Sequence, residues 1–239
     1  MDEPRLAAFV GCCRFVREAD AALEFHLVYD GQRLELRRRG DTKGLWVDRL
    51  EIERRLRGRF LLGRACGIRR NGGLSILDAT AGLGIDGLAL ALSGQRLHLV
   101  ERNPVLWALL VDLRERLGLV ERVHLTLGDS LELLESCDAV YDVICFDPMF
   151  PGRSKRALPG KRMQYLAALL GDGTQPDEQI IGQARSRATS RVVLKRRLKD
   201  PQVGRPDWVI RGRAVRYDVY QGRAGSGERG SDQPSSNMA

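Results

Sequence analysis

Two short strings carry the residues most able to do chemistry. Asp78-Ala79-Thr80-Ala81-Gly82-Leu83-Gly84-Ile85-Asp86-Gly87 leads from an apolar run into a helix-like segment, and Asp147-Pro148-Met149-Phe150-Pro151 closes a later apolar run. From Gly82 the first string matches G-x-G-x-x-G, and Glu101 lies roughly twenty residues on, as in a dinucleotide fingerprint. A pyrophosphate would rest on the helix N-terminus, where Asp78 and Asp86 would repel it. Those carboxylates suit a ligand with a cationic sulfonium, an ammonium and no phosphate, as in S-adenosylmethionine. Glu101 at the end of Leu99-Val100-Glu101 can accept from both ribose hydroxyls. Asp129, in Gly128-Asp129-Ser130, can accept from an adenine amino group. A dinucleotide oxidoreductase stays open as an alternative on these residues alone.

The second string suits an amine acceptor. The lone pair of an exocyclic base amine is delocalised into its ring, so the amine is a poor nucleophile. Acceptors on its N–H groups localise that pair, and the Asp147 carboxylate and Pro148 carbonyl are suited to the task. Phe150 offers a face for a base rotated out of its stack. Downstream, Arg153, Lys155, Arg156, Lys161 and Arg162 form a basic stretch, and Lys195-Arg196-Arg197 repeats the theme. All are candidates for RNA phosphates. Guanine N2 and adenine N6 need the same amine handling, so this loop does not separate them.

The elements that must hold these residues follow from periodicity. Leu74–Asp78, Arg96–Val100, Arg122–Leu127, Tyr141–Phe146, Arg191–Lys195 and Ala214–Tyr220 read as strands, with helices after Asp86 and from Asn103-Pro104. Asn103 is an expected N-cap and Pro104 fits the first helical position. Alternating strands and helices predict an α/β fold with a mostly parallel, doubly wound sheet. Before them, Leu23–Tyr29 and Leu34–Leu36 flank the Asp30-Gly31 turn as a hairpin. Gly44–Asp48 reads as a third short strand, and Leu50–Cys66 as one Arg-rich helix.

Charge follows the same division. Residues 1–70 hold 16 Lys/Arg against 11 Asp/Glu, residues 71–150 hold 5 against 12, and residues 151–239 hold 18 against 8. An acidic middle for a cationic cofactor thus lies between basic flanks for a polyanion. The five cysteines form no C-x-x-C pair, and the three histidines sit at no metal-ligand spacing, so neither disulfides nor a metal are expected. The N-terminus does not read as a secretory signal, and no run of ~18 apolar residues appears. A cytoplasmic monomer is the expectation.

The glycine string, Glu101-Arg102-Asn103-Pro104, the Asp147–Pro151 string, Val192–Arg196 and Arg216-Tyr217-Asp218-Val219-Tyr220 together resemble RsmJ-type bacterial 16S ribosomal RNA (guanine-N2) methyltransferases. The resemblance covers about residues 23–221. It implies a Rossmann-like methyltransferase domain over 71–221; the hairpin and Arg-rich segment mark a separate small basic β-hairpin/helix unit over 1–70, and Gly/Ser-rich composition a flexible tail over 222–239. The resemblance implies methyl transfer from S-adenosylmethionine to guanine N2 in ribosomal RNA or the small ribosomal subunit. Cofactor contacts fall on Ile85, Asp86, Glu101, Arg102, Asp129, Ser130 and Asp147, beside the Asp78, Gly82 and Gly84 turn. Two positions depart from the family pattern: Ile85 stands where Arg is common, and Asp129 where Ser is common.

Overall fold

The computed structural model describes residues 23–57, 60–69, 73–136, 138–148, 160–170 and 176–224. Strand β1 (Phe25–Tyr29) pairs antiparallel with β2 (Leu34–Arg38). The Asp30 carboxylate closes their turn by accepting from the Gln32 and Arg33 amides at 2.9 and 3.0 Å, as short polar side chains do in turns. The third strand expected over Gly44–Asp48 reduces to one bridge between Leu45 and Leu36. Beyond it Val47 enters the core and Asp48 begins a helix. The single helix expected from Leu50 to Cys66 is two, α1 (Arg49–Leu56) and α2 (Leu61–Cys66). Arg57 is extended, at φ −74° and ψ 137°, and the residue after it is Gly58, a poor helix former.

Among the described residues seven strands make the main sheet: β3 (Ser75–Asp78), β4 (Arg96–Glu101), β5 (Val123–Leu127), β6 (Tyr141–Phe146), β7 (Ala188–Arg197), β8 (Trp208–Arg211) and β9 (Val215–Gln221). Their order is β5-β4-β3-β6-β7-β9-β8. The five from β5 to β7 run parallel, and β9 and β8 add an antiparallel edge. The chain steps outward from β3 through β4 to β5, then returns to the other side of β3 as β6. That reversal opens a crevice beyond the carboxyl ends of β3 and β6, where open sheets take their ligands.

Helices α3 (Ile85–Leu92) and α4 (Pro104–Leu117) cover one sheet face, while α5 (Ser130–Ser136) and α7 (Glu178–Arg187) cover the other; α6 (Lys161–Leu170) follows β6. Alternation along each strand sorts the side chains. Ile76, Leu99, Val143 and Val193 face α3 and α4, whereas Leu77, Ile144, Val192 and Leu194 face α5 and α7. Asn103 caps α4 by accepting from Val105 N and Leu106 N at 3.0 and 3.2 Å, with Pro104 next, as expected.

Leu36, Ile52 and Leu62 share one core with Leu88 and Leu110, so the N-terminal segment and the sheet have a common apolar interior. Leu36 and Ile52 are fully buried, and each such side chain contributes roughly 1.5–3 kcal/mol. Strand β8 and helices α5, α6 and α7 are additions to the sequence reading. β8 is a four-residue edge paired only with β9, too short for a periodic signal. Among the described residues no helix is long and apolar enough to cross a membrane.

Candidate active site

The glycine turn joins β3 to α3. Gly84 sits at φ +72°, and a Cβ there would lie 2.3 Å from Leu110 Cδ2. At Gly87 a Cβ would lie 2.8 Å from Asp78 Oδ2 and 2.7 Å from Leu99 Cδ2. The spacing G-x-G-x-x-G therefore lets α3 close onto the sheet and onto the Asp78 carboxyl. Asp78 accepts from Thr80 N at 3.2 Å and is almost wholly buried. Burial, reinforced by the Asp147 and Asp86 carboxylates, pushes it up to about 7 against the opposing Thr80 amide and Lys195.

Glu101 closes β4 with both carboxylate oxygens held by the main chain. Gly82 N donates to Oε2 at 2.8 Å and Asn103 N donates to Oε1 at 2.7 Å. Each oxygen keeps a lone pair for a further donor. Burial raises the Glu101 carboxyl above its usual range, and the two amides oppose that rise. Asp129 accepts from Leu131 N at 2.8 Å in the first turn of α5. These residues border a cleft of about 420 Å³, a size that suits a small organic cofactor.

The far wall of the cleft is set by strand register. Phe146 on β6 faces Leu194 on β7, which brings the next residues, Asp147 and Lys195, side by side. Lys195 Nζ donates to Asp147 Oδ2 and to Asp86 Oδ2, both at 2.7 Å. Arg55 of α1 adds an ion pair to the other Asp86 oxygen at 3.3 Å. Asp147 N donates to Thr80 Oγ1 at 2.6 Å, tying the β6 end to the glycine turn. Burial raises the Asp147 carboxyl, while the Lys195 charge and hydrogen bond restrain it. Its side chain keeps 41% accessibility, so solvent offsets part of that rise, and because Asp147 borders the cleft a ligand there can reach it. Burial works against the Lys195 ammonium, yet Asp147 and Asp86 outweigh it and hold the ammonium above its usual range.

Asp78, Gly82, Gly84, Ile85, Asp86, Glu101, Arg102, Asp129, Ser130, Asp147 and Pro148 all border this one cleft. The basic candidates divide. Lys195 faces into the cleft. Arg196 alternates to the opposite face, where it is buried and donates to the Pro201 carbonyl at 3.2 Å. Expecting both on one phosphate-facing edge overlooks the two-residue period of a strand. Arg162 is paired with Glu51 and also borders the cleft. Lys161 donates to the Lys43 carbonyl at 2.6 Å and pairs with Asp41 at 3.1 Å. Phe150, Arg153, Lys155 and Arg156 lie outside the described residues, as do residues 1–22 and 225–239 of the proposed termini.

Two residues join the site without a forecast. Thr80 reads in the sequence as a spacer, although a hydroxyl two residues past a strand end is the available signal. Arg55 sits in an Arg-rich helix and reaches Asp86 only because α1 packs on α3. Chemically, Asp78, Asp86 and Asp147 face one ammonium and one guanidinium. A pyrophosphate would meet three carboxylates there, whereas a sulfonium with an ammonium would be welcomed, so the donor set fits S-adenosylmethionine.

Comparison with known proteins agrees with that donor set. Residues 12–222 match the family described as "Putative SAM-dependent methyltransferase". A ribosomal RNA small subunit methyltransferase J from Alkalilimnicola ehrlichii is 43% identical over 179 residues, covering 70% of this chain and 68% of the relative. The protein of that name from Pseudomonas savastanoi pv. phaseolicola is 37% identical over 223 residues, covering 86% and 82%. A crystal structure of a SAM-dependent methyltransferase from Neisseria gonorrhoeae superposes with a TM-score of 0.67 at 24% identity, covering 86% of each chain. It shares the fold.

Proposed function

The chain belongs to the ribosomal RNA small subunit methyltransferase J family of S-adenosylmethionine-dependent methyltransferases, and from that premise we propose that it methylates the exocyclic N2 of a guanine in small-subunit ribosomal RNA. The observation that carries this reading is Asp147-Pro148 at the carboxyl end of β6, bordering the same cleft as the glycine turn and Glu101. S-adenosylmethionine, when bound, supplies an electrophilic methyl group on sulfur. Glu101 offers its free lone pairs to the ribose, and Asp129 and Ser130 border the adenine side. The acidic wall of Asp78 and Asp86 faces the cationic end.

Asp147 and Pro148 do the acceptor-side work. The carboxylate and the carbonyl accept from the two N–H groups of the amine, which localises its lone pair and turns it toward the methyl group. As attack proceeds positive charge develops on that nitrogen, and the adjacent carboxylate stabilises it in a site partly closed to water. Once the methyl group has left sulfur, the nitrogen's surplus proton passes along its hydrogen bond to the Asp147 carboxylate and on to solvent, so no histidine base is needed. Phe150 stacks on the displaced base, and Arg153, Lys155 and Arg156 take flanking phosphates. Lys161, half exposed at the start of α6, can join them by leaving Asp41.

The experiment is methyl transfer from labelled S-adenosylmethionine to purified small subunits and to free 16S RNA, followed by nucleoside analysis. N2-methylguanosine is the expected product. N6-methyladenosine would replace the guanine assignment, and no labelled nucleoside from either substrate would remove the RNA assignment.

A further inference from the structure

Resting on the reading in which Asp147 receives the base amine, we propose that Lys195 is a positioning residue that keeps the Asp147 carboxylate ionised and aimed at that amine. Its place at the head of Lys195-Arg196-Arg197 invites a phosphate-contact reading, but the geometry favours a different task. The Lys195 side chain is only 15% accessible, and its ammonium donates at 2.7 Å to Asp147 and to Asp86. A phosphate contact would require it to abandon two carboxylates inside the cleft. The β6–β7 register supplies the pairing without any contribution from flexible loops.

The groups facing Asp147 leave little else for that task. Asp86 comes from α3, Asp78 from β3, Arg55 from α1, Tyr217 from β9 and Lys195 from β7. Asp86 opposes ionisation of a second carboxyl nearby, whereas Asp78, itself pushed up to about 7 in part by Asp147, is the carboxyl that yields its charge. Tyr217 is itself pushed up to about 12, chiefly by burial, so it stays neutral and supplies no charge. Arg55 is bonded to Asp86 rather than Asp147, and its side chain is 51% accessible, so solvent screens its reach. Lys195 is the described cation in hydrogen-bond contact with Asp147. Without it the Asp147 carboxyl moves further up, toward the protonated form that lacks the charge stabilising the amine during attack.

The test compares wild type, Lys195→Met and Lys195→Arg by single-turnover methyl transfer to small subunits across pH, with subunit binding followed in a salt series. In Lys195→Met the acidic limb of the profile moves to higher pH, so the rate falls on the acidic side and the gap to wild type narrows as pH rises. Lys195→Arg restores the wild-type limb, and neither variant changes subunit affinity or its salt slope. An unmoved limb, an equal loss at every pH, or a flattened salt slope would each overturn the proposal. Carboxyl-carbon NMR of Asp147 needs no turnover and no variant that folds poorly. It should find Asp147 ionised at neutral pH in the wild-type protein, and a neutral Asp147 there overturns the proposal. An Asp147 that is ionised in wild type and shifts toward the protonated form in Lys195→Met supports the Lys195 clamp even in a protein that transfers no methyl group to subunits, a result that would remove the function assigned above.

Discussion

Glu101 and Asp147 close neighbouring halves of one cleft, and both are carboxylates at strand ends, yet they are held by different means. Glu101 is fixed through two backbone amides, Gly82 N and Asn103 N. Asp147 is fixed through a side-chain ammonium and, at its own amide, through a threonine hydroxyl. Main-chain donors cannot move away without unfolding the turn, so the ribose side is a rigid template. A lysine clamp acts through charge, so the acceptor side depends on the ionisation of Asp147. Binding should therefore be insensitive to modest pH change on the Glu101 side, and chemistry should be sensitive on the Asp147 side.

The largest effect expected is on the acceptor side. Asp147→Ala should slow single-turnover methyl transfer by about 10²- to 10³-fold, the scale of losing one preorganised group around developing charge. RNA affinity should hold, because phosphates dominate it. Single-turnover assays on saturating subunits, paired with a binding isotherm, check both halves. If affinity fell with the rate, the separation of the two halves would be lost.

Next comes the carboxyl that both halves share. Asp78 rises from 3.8 to about 7 on folding, chiefly by burial, so between those values the folded protein holds a proton that the unfolded chain has released. Stability from this group is complete below about pH 4 and is lost as pH rises through about 7, for a total of up to ~4 kcal/mol at 1.36 kcal/mol per unit. His98 runs the other way. Burial, with the His124 charge adding, lowers it to about 4, so its contribution grows as pH rises through that window. The readout is thus the difference between Asp78→Asn and wild type in denaturant melts. The variant should gain relative stability as pH rises from about 4 to 7 and level off above. A difference that stays flat with pH would mean that Asp78 is not held protonated.

Glu101→Ala should follow with a loss of roughly ten- to a hundredfold in S-adenosylmethionine affinity, from ~1.5–3 kcal/mol of charged hydrogen bonding. Titration calorimetry measures it, and the loss should vary little over neutral pH. Smallest of all, charge reversal at Lys155 or Arg156 should weaken subunit binding and reduce the salt slope by about one per contact. Chemistry in the bound complex should be unaffected. A rate loss at saturation would move these residues into the cleft.

Much of the cleft was legible because its signals are local. A strand end, a glycine spacing and an acid two strands later all lie within short strings, and the order β3, β4, β5, β6 carries them to one sheet edge. The Asn103-Pro104 cap was legible for the same reason. What escaped depends on pairing across distance. The Asp86–Lys195–Asp147 bridge joins α3, β7 and β6, and sequence shows Lys195 only as one cation among three. Arg216 and Asp218 read as parts of a family string, whereas the fold makes them a buried ion pair at 2.8 Å that also anchors the Arg197 and Leu198 carbonyls. The break between α1 and α2 escaped because the Arg-rich pattern continues across it, while Arg57 is already extended.

The measurement that bears most directly on the whole account is nucleoside mapping of small-subunit RNA from a strain lacking this chain, complemented with wild type or with Asp147→Ala. One N2-methylguanosine should disappear on deletion, return with wild type and stay absent with Asp147→Ala. Unchanged methylation in the deletion strain, or full restoration by Asp147→Ala, would contradict this expectation.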